Sequence, residues 1–179
     1  MNSEPSPQDV RLINSQRAMN AQAGSFGKKG SVAANGCGSI AAFNALLILG
    51  EPVCFEEVRS RFSPHTRRQG RGGASPLYLL YFFIKRGYGI RLYLKKSLKR
   101  VRKCHAAYIA LYFYSLNKGI GAHYAAAEYD AEADEFIIYN DDAVKMDKKR
   151  SSDFPALLRG NGAKYMAVIG IDRKRRPLS

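Results

Sequence analysis

The spacing of apolar residues changes once along this chain, and that change limits the folds open to it. Up to about residue 86, apolar side chains recur at helical spacing or fill Ala- and Leu-rich blocks. Beyond Ala107 they run in β-branched and aromatic stretches cut by turn signals. The block Ile40 to Leu49, ending at Gly50, predicts a buried helix with a glycine stop. Phe55, Val58 and Phe62 predict an amphipathic helix from Cys54 to Phe62. Ser75-Pro76 reads as an N-cap and first-turn proline for a third helix over 77–85. A short strand is expected at 90–94 and a basic helical turn or loop at 98–103. Strands are then expected over 107–116, 123–129, 135–139 and 164–171, with hairpin turns at Asn117-Lys-Gly119 and 131–134. Helices first and an antiparallel sheet afterwards define an α+β chain.

The 179 residues suit one domain, and an apolar fraction of 46% provides an ordinary core. Residues 1–34, rich in Ser, Gln, Asn, Gly and Ala, read as an extended N-terminal arm. Residues 35–172 read as the folded domain and 173–179 as a basic tail. No apolar run is long enough for a membrane span, and the polar start lacks the pattern of a secretory signal, so cytoplasmic residence is the expectation. Cys37, Cys54 and Cys104 are an odd number at wide spacing, which argues against a disulfide framework or paired metal ligands.

The segment Asn35-Gly36-Cys37-Gly38 places a thiol just ahead of the first helix. There the helix dipole and unpaired N–H groups favour an anion, lower the thiol pKa and can hold an oxyanion. The flanking glycines let a substrate backbone approach closely. The same residues also read as a small buried cysteine in a tight turn. A thiol nucleophile needs a base. His65 falls in the basic loop 63–75, where an exposed or structural role fits it better. His105 adjoins Cys104, but neighbouring strand residues face opposite ways. His123, at the head of His-Tyr-Ala-Ala-Ala-Glu-Tyr after Gly119 and Gly121, is the better candidate. The strand 135–139 runs into Asn140-Asp141-Asp142, and in an antiparallel pair its end lies near the start of the strand before it. Asn140 or Asp141 can therefore orient the imidazole, although Asn-Asp-Asp equally suits a plain polar turn.

The order of cysteine, histidine at a strand start and acidic or amide residue after the next strand resembles the papain-like peptidase superfamily. More narrowly it is similar to the bacteriocin-leader (double-glycine) peptidases, in Gly36-Cys37-Gly38, Ala41-Ala42, His123-Tyr124 and Asn140-Asp141. The resemblance spans about 35–142, with 164–171 as the late strand. It implies a papain-like α+β fold, N-terminal helices with the nucleophile at a helix start packed on a C-terminal antiparallel sheet. It implies Cys37 as nucleophile, His123 as base, Asp141 (alternatively Asn140) as orienter, no cofactor and no metal. The family's oxyanion glutamine stands about half a dozen residues before the cysteine. Here that position holds Ser31, and Gln22 and Gln16 lie further off, so Asn35 or an inward-looped Gln22 becomes the candidate. The family's proline after the acidic residue is replaced by Asp142.

The resemblance implies a cysteine-nucleophile acyl-transfer enzyme, a peptidase or amidase, with a peptide or protein substrate. The net charge of +14 favours an acidic one, with Arg67, Arg68 and Arg71 or the run 95–103 as the basic surface. Two other readings stand beside it: a papain-like protein that only binds peptide, and a nucleic-acid-binding module, supported by the charge and the many tyrosines. Against the last, no helix-turn-helix, zinc-finger or RNA-recognition signature is present.

Overall fold

A computed structural model describes residues 11–16, 19, 24–94, 97, 101, 103–116, 119–140, 149–159 and 163–174. A two-stranded hairpin comes first, β1 (Ser25–Phe26) and β2 (Gly30–Ser31). The helical turn α1 (Val32–Asn35) follows and leads directly into α2 (Cys37–Ile48). Ser31 caps α1, its hydroxyl accepting from the Ala34 N–H at 3.2 Å. After α2 come α3 (Phe55–Phe62), two 3₁₀ turns (Ser63–His65 and Arg67–Gly70) and α4 (Pro76–Lys85). The remainder is β3 (Gly89–Leu94), β4 (Ala107–Leu116), β5 (Gly119–Asp130), β6 (Glu135–Tyr139), β7 (Lys149–Ser151), α5 (Phe154–Arg159) and β8 (Ala163–Asp172).

β3 to β8 form one antiparallel sheet in the order β3-β8-β4-β5-β6-β7. Side chains alternate across it. Ala107 and Ile109 of β4 join Ile169 and Ile171 of β8 beneath α2, α3 and α4. Tyr108, Ala110 and Tyr112 face the other way and pack with Phe136, Ile138, Phe154 and Leu158 under α5. Both faces are therefore covered, which explains why these strands read as nearly continuous apolar runs. α2 is apolar all round and buried from Cys37 to Leu46, as a central helix must be. It lies on β5, where the short side chains of Ala125, Ala126 and Ala127 are fully buried.

The α+β architecture read from the sequence is the one observed, with several shifted boundaries. α2 begins at Cys37, three residues before the expected start, because the small residues Gly38 and Ser39 are helical once packed. β5 begins at Gly119, so His123 stands inside the strand, opposite Tyr112. The turn at 131–134 is built by Asp130, whose Oδ1 accepts from the N–H groups of Glu132 (3.1 Å) and Ala133 (3.2 Å). Ser75 precedes α4 without a side-chain cap bond, and Pro76 supplies the first turn. β7 and α5 were not read from the sequence at all. The turn residues Asn117 and Lys118, most of 98–103 and the tail beyond Lys174 lie outside the described residues.

The expected extended arm is folded in its second part, since 25–35 make the hairpin and α1. Its first part is held by buried amides. Asn44, fully buried in α2, accepts from the Ile13 N–H at 2.8 Å and donates to the Ile13 carbonyl at 2.9 Å. Further along, the Gln16 N–H donates to Asn140 Oδ1 at 2.8 Å and Gln16 Nε2 to the Ala33 carbonyl at 3.0 Å. Side chains thus grip main chain, as a neighbouring strand would. Asn44→Ala leaves both Ile13 groups without their partner. It is expected to lower stability by about 1–3 kcal/mol in urea denaturation and to open residues 11–16 to proteolysis ahead of the domain. Equal protection of that segment in the variant and wild type would show that the amide clamp is dispensable.

Candidate active site

The start of α2 meets the middle of β5, and this contact builds the site. Gly36 and Gly38 flank the cysteine for reasons of packing. A Cβ on Gly36 would stand 2.7 Å from the Val32 carbonyl oxygen, and one on Gly38 would stand 2.5 Å from the Ala74 Cβ. Gly38 therefore brings the loop before α4 against the first turn of α2. The Tyr124 hydroxyl ties the same loop down, donating to the Ala74 carbonyl at 3.4 Å.

Cys37 is buried, with 8% of its surface exposed. Burial on its own pushes its thiol pKa up. The hydrogen bond and charge of His123, with N–H donation from Tyr124 and Gly38, more than offset this, and the net shift is downward. His123 is also buried, and its Nε2 is hydrogen-bonded to the main-chain oxygen of Asn140. A carbonyl only accepts, so Nε2 carries the proton and Nδ1 is the basic nitrogen of the neutral ring. Tyr112 packs beside the imidazole with ring centroids 5.5 Å apart. The arrangement can hold a thiolate beside an imidazolium and pass a proton between them.

Cys37 and His123, far apart in sequence, are thus brought together. Asn140 adjoins the pair through its backbone. It has a left-handed φ of 58°, and its side chain turns away to accept from Gln16. Asp141 and Gln22 lie outside the described residues. Asn35, at the end of α1, donates its side-chain amide to the Arg71 carbonyl at 2.9 Å and so ties α1 to the loop before α4. The other histidines are elsewhere. His65 stacks on Tyr78, with centroids 3.8 Å apart. The buried His105 donates from Nδ1 to Asp172 (2.6 Å) and accepts at Nε2 from the Tyr93 hydroxyl (2.6 Å), joining β3, β8 and the entry to β4. Cys54 and Cys104 are exposed and free.

Gln16 is the residue of this region that sequence reasoning passed over. It is buried, 3% exposed, and links the arm to both Asn140 and α1. Its distance from Asn140 in sequence hid it, and only the fold brings it to the residue whose carbonyl meets the imidazole.

No family model matches the sequence, and no curated protein matches it either. The fold does have a counterpart among solved structures. It is similar to the peptidase domain of Streptococcus ComA, a bifunctional ABC transporter involved in a quorum-sensing pathway. The two share 16% identity and a TM-score of 0.51 over 77% of this chain and 91% of that domain. The α+β fold is therefore papain-like. Among the described residues no helix is long and apolar enough to cross a membrane.

The contact that seats the cysteine can be tested directly. Gly38→Ala is expected to destabilise the protein by about 1–3 kcal/mol through overpacking against Ala74. Ala74→Gly in the same chain should recover much of that loss, giving a double-mutant cycle with a clear coupling. Strict additivity in denaturant titrations would mean that the two residues do not constrain each other.

Proposed function

We propose that the chain is a cysteine peptidase acting by acyl transfer, with Cys37 as nucleophile and His123 as general base. The observation that carries this reading is the buried thiol at a helix start, hydrogen-bonded to an imidazole whose other nitrogen is fixed on the Asn140 carbonyl. The likeness of the fold to a peptidase domain supports it.

In the first step the Cys37 Sγ attacks the scissile carbonyl carbon, and the carbonyl π electrons move to oxygen. The Cys37 main-chain N–H, at the positive end of α2, faces the developing oxyanion. The imidazolium of His123 gives its proton to the leaving nitrogen, the C–N bond breaks, and a thioester remains on Cys37. Water then attacks the thioester as His123 takes its proton. The acid product leaves, and the thiolate is restored. Asn140 acts through its carbonyl, keeping the Nε2–H tautomer. Asp141, next in the chain, is the second candidate for that role. Peptide or protein is the substrate class, and no step calls for a cofactor.

The test is the pH dependence of Cys37 alkylation by iodoacetamide, followed by peptide mapping with exposed Cys54 and Cys104 as internal references. The lowered thiol pKa means that thiolate persists as the pH falls below the free-thiol range, about 8.5. Its contribution to stability is complete above that range and is lost as the pH falls through the lowered folded value. In His123→Ala the burial of the thiol loses its main opposition. The midpoint is expected to move upward, with at least a tenfold fall in alkylation near pH 7. Asn140 and Asp141 separate by the same assay. Asp141→Ala should leave the midpoint near wild type if the carbonyl alone orients the ring, and should raise it if the carboxylate contributes. A Cys37 that alkylates at the rate of Cys54 and Cys104 at every pH would remove the enzyme reading and leave a peptide-binding protein.

A further inference from the structure

Five cations stand on one ledge beside the start of α2. Arg67, Arg68 and Arg71 lie on the loop between α3 and α4, and Lys28 and Lys29 on the turn of the β1–β2 hairpin. All five are exposed. None of them pairs with a described carboxylate, whereas Arg59, Arg61, Arg86, Arg150 and Arg159 each do. Among the described residues, nothing balances the charge of the ledge.

The loop that carries the arginines is held by its backbone, with the guanidinium groups left over. Arg67 donates its N–H to the Gly73 carbonyl (2.9 Å) and accepts from the Gly72 N–H (3.0 Å), and Lys29 donates to the Gln69 carbonyl (2.8 Å). Arg68 and Gln69 take left-handed φ values of 49° and 59°. Gly70, at φ 108°, lies so close to the hairpin that a Cβ there would stand 1.9 Å from the Phe26 carbonyl oxygen. Two consecutive non-glycine residues in that conformation persist only where surrounding contacts demand it, and such strain collects at functional segments.

The ledge adjoins the reactive thiol. The Arg71 carbonyl is bound by Asn35, two residues before Cys37. Ala74, at the end of the loop, touches Gly38 and accepts from Tyr124. The Tyr124 side chain feels the charge of both Cys37 and Arg67. The backbone of the loop is thereby held against the residues on either side of Cys37.

We propose that Arg67, Arg68 and Arg71, seconded by Lys28 and Lys29, are the specificity element of the Cys37 site, selecting peptides with Asp or Glu within a few residues of the scissile bond. This rests on the peptidase reading above and adds to it the class of sequence that is accepted. Guanidinium groups suit the role because they pair carboxylates in a fixed two-pronged geometry.

The experiment compares labelling of Cys37 by three peptidyl acyloxymethyl ketones that differ only in carrying Glu, Gln or Lys beside the reactive group. The full chain is used, and second-order rates are read by mass spectrometry. Wild type should react about tenfold or more faster with the Glu probe than with the Lys probe at low salt. The ratio should shrink as ionic strength rises past the screening range. The triple variant Arg67→Gln, Arg68→Gln, Arg71→Gln should lose most of that ratio, and the three single variants part of it each. Iodoacetamide labelling is read in every variant and each probe rate is expressed relative to it, so a change in the thiol itself cancels from the Glu-to-Lys ratio. Loss of selective iodoacetamide labelling in wild type would undo the peptidase reading itself. Normal iodoacetamide labelling with equal rates for the three probes would overturn only the specificity assignment. Competition by a single-stranded oligonucleotide with no preference among the probes would also overturn it, marking the ledge as a nucleic-acid site.

Discussion

Everything at the candidate site depends on how closely the first turn of α2 approaches β5. A thiol buried in such a contact loses solvation, and burial is the largest influence on Cys37, acting against ionisation. The contact creates its own remedy. It brings the Tyr124 N–H and the His123 imidazole to the sulfur, and it aims the helix's positive end at the same atom. A looser approach would give the thiol back to water and at the same time remove its partners. Gly38 is thus a chemical as well as a packing choice, since a Cβ there would stand 2.5 Å from the Ala74 Cβ and 3.4 Å from the Tyr124 ring.

The second dependence runs through buried amides. Asn44, Asn140 and Gln16 are each nearly or wholly inaccessible, and between them they bind the arm to α2, to the end of β6 and to α1. Polar side chains are costly to bury without partners. The arm's main chain supplies partners for the Asn44 amide and for Asn140 Oδ1, while Asn140 Nδ2 and Gln16 Oε1 are buried without one among the described residues. Asn140 occupies both systems at once, since its side chain accepts from Gln16 and its carbonyl from His123. Its left-handed backbone is what allows the two groups to diverge, and asparagine is among the residues that tolerate it best. The imidazole's orientation and the docking of residues 11–16 are in this way mechanically linked.

Much of the fold was legible because its signals are local. An Ala- and Leu-rich block ending in glycine, a proline after serine, and β-rich runs separated by turn residues each declare themselves within a dozen positions. The site was legible only in part. Gly36-Cys37-Gly38 and His123-Tyr124 stand out by residue type. Asn140 meets His123 through its backbone carbonyl, which every residue has, so no side-chain pattern could signal that contact. Gln16 was passed over because its role comes from a contact 124 residues away in sequence. The bond from the Asn35 amide to the Arg71 carbonyl likewise joins residues 36 positions apart, which no local pattern signals. β7 and α5 were missed because Lys149–Ser151 and Phe154–Arg159 are too short to show a period.

The net charge takes on a more definite meaning in three dimensions. As a total, +14 distinguishes poorly between partners, and most single basic runs are solvated surface. The structure sorts the described arginines into those that balance a carboxylate and those that do not. The loop 67–71 holds three of the latter on a backbone too constrained to fold them away. Around Cys37 the helix dipole, the imidazole and the two N–H donors all favour negative charge at short range. Arg67 carries the same sign to the neighbouring Tyr124 side chain, which also feels the charge of Cys37. On the proposed reading, that common sign would serve an anion in the chemistry and a carboxylate in the substrate. Among the described residues Arg11, Arg91 and Arg173 also lack a carboxylate partner, but they stand singly, whereas the loop gathers three within five positions of chain.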